Sequence, residues 1–401
     1  MKLFSIKRLP FLLIVGLCLG LAGARLYQSR LSESGGGFLI RPGFPPLVYV
    51  PDCTSGPRIH AASAILLEAT TGTILYAHNE HVRRAPASTT KIMTAVVALE
   101  KGNLRSLVTV GRYASWTPGS SVGLRPQDRL PLSELLQGLM LCSGNDASVA
   151  IAEHVAGSER AFVDLMNRKA REFGALNTSF RNPHGLPAVG HFTTAFDLAL
   201  MTRYALQKPA FARLVRTREE ELDWVEGERK AAISNTNRLL WSFAGADGVK
   251  TGTTSEAGHC LVASATRDGR QLIAVVLRSG DRWGDAASLL EYGFNAFRLL
   301  VLAEEGRPVA KIRVLHGTAP SVALVPRRRL AVVCRIGQEN LVKLVSTVPK
   351  EPLPSPVRPG RILGRLAVLF GGEEVEGVDL LPLTGVGRRR WWHKLRGGDR
   401  T

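Results

Sequence analysis

The sequence predicts an α/β domain, one antiparallel sheet covered by helices with a helical lobe, followed by a small all-β domain. Three observations carry this. Apolar strand-like runs lie at both ends of the stretch from about Ala61 to Leu300, so the first and last strands should meet in one sheet. Helical periodicity fills the middle of that stretch. From about Gly306 the texture changes to short alternating runs, Ile312-Arg313-Val314 and Leu330-Ala331-Val332-Val333, set between Pro and Gly. A chain of 401 residues with 45% apolar content has room for two or three compact units with real cores.

Residues 1–24 begin with Lys2, Lys7 and Arg8, carry no acid, and run uncharged from Leu9 to Ala24, ending in Ala22-Gly23-Ala24. A basic start, an apolar middle and a small-residue exit make an export signal. An uncleaved anchor is the alternative, although sixteen uncharged residues including Pro10 fall short of a span of about 20. Either way the remainder is expected outside the cytoplasm. The net charge of +18 therefore points away from nucleic acid and towards anionic lipid and wall polymers. Residues 25–57, with Gly35-Gly36-Gly37, Pro42, Pro45-Pro46 and Pro51, are expected to form a tether.

Residues 58–303 follow as the main domain. Ala64–Leu67 and Ile74–Tyr76 make a hairpin around Thr71-Gly72. Ser88–Glu100, just after Pro86, is a helix with almost no polar face, so it should be central. Two helices flank Ser143-Gly144-Asn145, with Asp146 expected to cap the second. Further helices cover about 159–173 and 194–207. Gly258–Ala265 and Leu272–Leu277 are strands joined at Asp268-Gly269, and an amphipathic helix is expected from about Asp285 to Leu300. Residues 304–386 form the β domain and 387–401 a basic aromatic tail. Cys53, Cys142, Cys260 and Cys334 have no regular spacing and no CxxC pair, so free thiols are expected, no metal site and no cofactor.

Three short words carry the chemistry. Ser88 and Lys91 lie three apart at a helix start, on one face. The lysine can take the serine proton only when neutral, which burial and a second cation, Lys250, both favour. Ser143 and Asn145 supply a hydroxyl that can pass a proton to a leaving amine and a carboxamide that can grip a peptide. In Lys250-Thr251-Gly252-Thr253, Gly252 allows close approach of a ligand, the Thr253 amide can face a developing oxyanion, and Lys250 with the threonine hydroxyls can hold a carboxylate. Each word alone has an ordinary structural explanation. Their conjunction points to acyl transfer through a seryl intermediate.

These words resemble those of the D-alanyl-D-alanine carboxypeptidases, the low-molecular-mass penicillin-binding proteins. The likeness extends to Gly119-Ser120-Ser121, Leu139–Ala147, Asn182-Pro183-His184-Gly185-Leu186 and Asp247–Thr253. It implies the penicillin-recognising, serine β-lactamase-like fold. It also implies a reaction: Ser88 attacks the carbonyl between two terminal D-alanines of a peptidoglycan stem pentapeptide, with Lys91 as base and Ser143 as relay. By the same resemblance Asn145 orients the peptide and the amides of Ser88 and Thr253 form the oxyanion hole. Lys250, Thr251, Thr253 and Arg282 hold the substrate end, and β-lactams are covalent inhibitors. His184 tempts as a base, but Lys91 fills that role, and Pro183 and Gly185 make a structural turn.

Rival readings are an endopeptidase cutting cross-links, a β-lactamase, and a non-catalytic wall-binding protein. Glu159 and Glu172 follow Ser143, yet neither sits in the Glu-x-x-Asn context that the β-lactamase reading needs. Leu381-Pro382-Leu383-Thr384-Gly385 spells a sorting signal, but Arg388-Arg389-Arg390 follows where an apolar span is required. From Arg388 to Thr401 the tail has six basic residues and one acid around Trp391-Trp392, a composition suited to an anionic membrane surface.

Overall fold

The computed structural model describes residues 47–50, 52–225 and 229–389. The export signal and residues 390–401 of the tail lie outside the described residues. Two compact units divide between Phe294 and Asn295.

The first unit is built on a six-stranded sheet. Its strands are β1 (Val48–Tyr49), β2 (Ser63–Glu68), β3 (Thr73–His78), β4 (Ala246–Thr254), β5 (Gly258–Arg267) and β6 (Arg270–Ser279), in the spatial order β1-β3-β2-β6-β5-β4. The first hairpin and the last strands do meet: β2 pairs antiparallel with β6, Ile65 opposite Val275. All six residues of β2 are buried, as a strand covered on both faces requires. Asp268 (φ 50°) and Gly269 (φ 73°) make the tight turn between β5 and β6, both in the left-handed region that such a hairpin demands.

Helices α1 (Lys91–Lys101), α2 (Leu132–Met140), α3 (Asn145–Ala156), α4 (Glu159–Glu172) and α5 (Ala195–Leu206) fill the interval between β3 and β4. Helix α1 is buried from Lys91 to Ala98, and α3 from Asn145 to Ala152. These two form the centre of one continuous core with the apolar face of the sheet. Ser158 and Thr194 cap α4 and α5 by accepting from the amides of Ala161 and Asp197.

Four expectations are corrected. The tether is not structureless to residue 57: Val48–Tyr49 adds a parallel strand to β3, and the Val50 amide donates to the Ile74 carbonyl at 3.0 Å. The nucleophile helix opens with a 3-10 turn, Ala87–Thr90, before the α-helix begins. Asp146 does not cap α3; its carboxylate instead accepts from the amides of Val122, Leu124 and Ala147 and the hydroxyl of Ser121. Finally, the helix expected over 285–300 is α6, Arg282–Ala296. It starts early because Asp281 accepts from the Gly284 amide at 3.0 Å, and it stops because residues from Phe297 pair as a strand.

That strand, β7 (Phe297–Ala303), belongs to the second unit with β8 (Ala310–Leu315), β9 (Ser321–Pro326), β10 (Leu330–Arg335), β11 (Val342–Thr347), β12 (Leu353–Pro354), β13 (Gly364–Phe370) and β14 (Glu373–Pro382). Strand β7 pairs with β10, and the others order as β11-β13-β14-β9-β8-β12. Val322, Leu324, Leu366, Val368, Val378 and Leu380 alternate inwards to make its core. The first tail residues still pair with this unit: Arg388 bridges Gly317, and the Arg389 amide donates to the His316 carbonyl at 2.7 Å. All four cysteines among the described residues are free.

Candidate active site

The site lies where the start of α1, the α2–α3 junction and the edge strand β4 come together. Pro86 leads into Ala87, which has φ 48°, and this left-handed residue turns the chain so that Ser88 begins a new element. Opposite it, the turn from Asn182 to Leu186 is braced by Asn182, whose Oδ1 accepts from the Gly185 amide at 2.6 Å and whose Nδ2 donates to the Leu186 carbonyl at 2.9 Å. Gly185 has φ +93°, and a Cβ there would fall 1.8 Å from the Ala87 carbonyl oxygen. Two backbone turns thus touch at the nucleophile with no room for a side chain between them.

Lys91 is fully buried, and its Nζ has three neighbours: Asn145 Oδ1 at 2.7 Å, the His184 carbonyl at 2.8 Å and Ser88 Oγ at 3.0 Å. Burial, and next the charge of Lys250, push its pKa well below the ordinary lysine value. A neutral amine has two hydrogens and one lone pair. Asn145 Oδ1 and the His184 carbonyl can only accept, so they take both hydrogens. The lone pair is then left for the Ser88 hydroxyl. The three contacts therefore do more than hold the lysine; they fix which side of it is basic.

Asn145 is itself held. Its Nδ2 donates to the Pro118 carbonyl at 2.6 Å and its amide to the Ser120 carbonyl at 2.7 Å. The Gly119-Ser120-Ser121 run is thereby tied to the second motif from two adjacent residues, Asn145 and Asp146. One carboxamide hydrogen of Asn145 remains for a substrate carbonyl. Ser143 has φ 68°, an uncommon conformation for a residue with a side chain. Its Oγ is buried and has no hydrogen-bond partner among the described residues. Strain and an unsatisfied hydroxyl at one residue both cost stability, a combination found where function dictates geometry.

The third motif lies on β4. A Cβ at Gly252 would meet the Ser88 amide nitrogen at 3.0 Å and the Pro86 carbonyl at 3.1 Å, so glycine lets this strand cross directly over the nucleophile's turn. Lys250 is buried, and burial, its largest influence, brings its pKa down to about 7. An arriving carboxylate would favour its charged form. Thr251 is buried and its hydroxyl contacts that of Thr236 at 2.7 Å. Thr253 is exposed, and Arg282, the first residue of α6, donates to Thr253 Oγ1 at 2.8 Å and to the Gly252 carbonyl at 3.1 Å. All nine sequence-predicted residues thus fall in one neighbourhood.

Two supporting residues, Pro118 and Asn237, escaped the sequence reading, and His184, expected only to shape a turn, acts through its backbone. His184 contributes its carbonyl rather than its ring. The imidazole, its pKa lowered to about 3 mainly by burial, is neutral, so its 3.7 Å approach to Glu159 is no ion pair. Asn237 donates to the Gly248 carbonyl at 2.7 Å and so fixes the start of the third motif. Pro118 contributes only a carbonyl, which no side-chain pattern announces. Asn235-Thr236-Asn237 is a turn signature that could have flagged the second of these.

Fold and site together define a penicillin-binding serine hydrolase, a cell-wall enzyme. Residues 51–280 match the family described as D-alanyl-D-alanine carboxypeptidase, and residues 297–388 match the C-terminal domain of penicillin-binding protein 5. The chain is 37% identical over 329 residues to D-alanyl-D-alanine carboxypeptidase DacF of Bacillus subtilis, covering 80% of this chain and 84% of that one. It is 34% identical over 376 residues to DacC of Escherichia coli, covering 90% and 93%. Among solved structures, penicillin-binding protein 5 from Haemophilus influenzae superposes with a TM-score of 0.72 at 30% identity, over 83% of this chain and 99% of that one. The chain belongs to the D-alanyl-D-alanine carboxypeptidase family.

Proposed function

We propose that this enzyme removes the terminal D-alanine from peptidoglycan pentapeptide stems through an acyl-enzyme on Ser88. The observation that carries the reading is the Lys91 amine, buried and presented to Ser88 with its other two valences occupied. Ser88 Oγ bonds to the carbonyl carbon while its proton passes to Lys91. The C–N bond then breaks, and the departing D-alanine takes a proton through Ser143, whose buried hydroxyl is uncommitted. The amides of Ser88 and Thr253 hold the oxyanion, and Arg282, Thr253, Thr251 and Lys250 hold the terminal carboxylate. Water, deprotonated by the same lysine, releases the shortened stem and restores the serine.

The export signal in residues 1–24 belongs to this reading, since the substrate is outside the cytoplasm. The basic Trp391-Trp392 tail would add attraction to anionic lipid. Purified stem pentapeptide and cross-linked dimers, incubated with the enzyme and separated chromatographically, test the reaction. Free D-alanine from the pentapeptide is the expected product. Split dimers without free D-alanine would assign the enzyme as an endopeptidase, and rapid steady hydrolysis of a chromogenic cephalosporin as a β-lactamase.

A further inference from the structure

A cavity of about 500 Å³ adjoins the catalytic network and has no part in the steps above. Pro118, whose carbonyl holds Asn145, and His184, whose carbonyl holds Lys91, both line it. Its outer wall is aromatic. Trp116 is 75% exposed and Tyr113 62% exposed, so both rings are largely open to solvent. Thr117 and Asn182 add polar groups, and Glu159 is the one carboxylate among the lining residues.

Glu159 has no cationic partner among the described residues, in a chain with 52 Lys and Arg against 34 acids. Its Oε2 accepts from the Tyr113 hydroxyl at 2.9 Å, and its other oxygen faces the His184 ring at 3.7 Å. That ring is neutral for the reason given above. Burial first, and then the charge of Glu159, raises the pKa of Glu153, which puts a second carboxylate close by. Glu172, by contrast, is paired with Lys169 at 2.7 Å. A half-buried carboxylate beside two exposed ring faces is a receptor for an organic cation: the carboxylate attracts the charge and the rings attract it again through their faces.

We infer that this cavity binds a protonated amine on the acyl side of the substrate, carried by the residue that precedes the D-alanyl-D-alanine pair. The inference rests on the proposed carboxypeptidase reaction: that residue is one position removed from the acylated alanine, and two wall residues of the cavity, Pro118 and His184, hold the Asn145 and Lys91 side chains that serve the acylated serine. The leaving side of the site is already occupied by Arg282, Thr253 and Lys250, all of which favour an anion. The two ends of the substrate are therefore sorted by charge, a carboxylate at one end and an amine at the other.

Two synthetic peptides ending in D-alanyl-D-alanine decide the matter, identical except that the preceding lysine is free in one and Nε-acetylated in the other. The wild-type enzyme is expected to show a kcat/KM about tenfold higher for the free amine, the size of one cation–π or partly desolvated ionic contact. Glu159→Gln and Trp116→Ala are each expected to bring that ratio close to one by slowing the free-amine peptide. Trp116 is exposed enough that its loss does not threaten folding. Equal rates for the two peptides in the wild type, or a ratio that survives Glu159→Gln, would overturn the inference while leaving the carboxypeptidase reading intact. Release of D-alanine from neither peptide would overturn that reading first.

Discussion

Gly185→Ala should disable the enzyme from outside the three motifs. A Cβ at residue 185 would stand 1.8 Å from the Ala87 carbonyl oxygen and 2.4 Å from its carbon, whereas ordinary contact starts at 3.4 Å. The two turns must separate by roughly 1.6 Å, more than enough to misplace a reacting group, and a shift of about 1 Å costs on the order of 100-fold in rate. Both sides of the base pair move, since Ala87 precedes Ser88 and His184, which holds Lys91, precedes Gly185. The left-handed φ of +93° adds about 1–2 kcal/mol of strain to the folded state. Strain and displacement can be separated. Gly157 ends α3 at φ +76° with nothing within 4 Å of a Cβ, so Gly157→Ala carries the strain without the collision. Stopped-flow or quenched acylation by a fluorescent penicillin, with thermal melts of both variants, makes the comparison. Both should melt lower, and only Gly185→Ala should acylate about 100-fold more slowly or worse. Acylation of Gly185→Ala within about threefold of wild type would refute the argument that this contact positions the nucleophile.

Other consequences follow from the same geometry. Lys250 has a folded pKa of about 7 against 10.5 for an ordinary lysine, so between those values the unfolded chain binds more protons and raising the pH favours the folded state. Urea midpoints should therefore gain a rising component from about pH 7 upwards in the wild type, and Lys250→Met should reduce it, leaving the share that the buried Lys91 contributes with the same sign. Ser143→Ala deletes a buried hydroxyl that has no partner among the described residues, so stability should stay level or rise by up to about 1 kcal/mol, while D-alanine release falls by about two orders of magnitude; denaturant curves and turnover on one preparation show both. Asp146→Ala strands the amides of Val122, Leu124 and Ala147 at once, and should cost about 3 kcal/mol or more in chemical denaturation.

Much of the site was legible because its chemistry is written in side chains at fixed short spacings. Ser88 and Lys91, Ser143 and Asn145, and Lys250 to Thr253 each sit within one turn or one strand, so local sequence reveals the group. The sheet was legible because β2, β5 and β6 are covered on both faces and spell nearly unbroken apolar runs. What escaped was carried by backbone or by distant pairing. The Pro118 and His184 carbonyls have no residue-type signature. Asp146 looked like a helix cap because its position suits one, but the loop over 121–124 presents more donors than the helix end does. Phe297–Leu300 continued a helical pattern, yet pairing with β10 gave those backbone groups partners that the sequence nearby could not announce. Strand β1 was hidden for the same reason, its hydrogen bonds going to β3 from the end of a Pro-rich run.

Catalysis depends on Lys91 acting as an uncharged base for the hydroxyl of Ser88, and one measurement tests that directly. Intact-mass analysis after exposure to benzylpenicillin, with the adduct mapped by peptide, should find one acyl group on Ser88 in the wild type. It should find none on the same timescale in Lys91→Arg, whose guanidinium stays charged and offers no lone pair. An adduct on another residue, or labelling of Lys91→Arg at the wild-type rate, would contradict it.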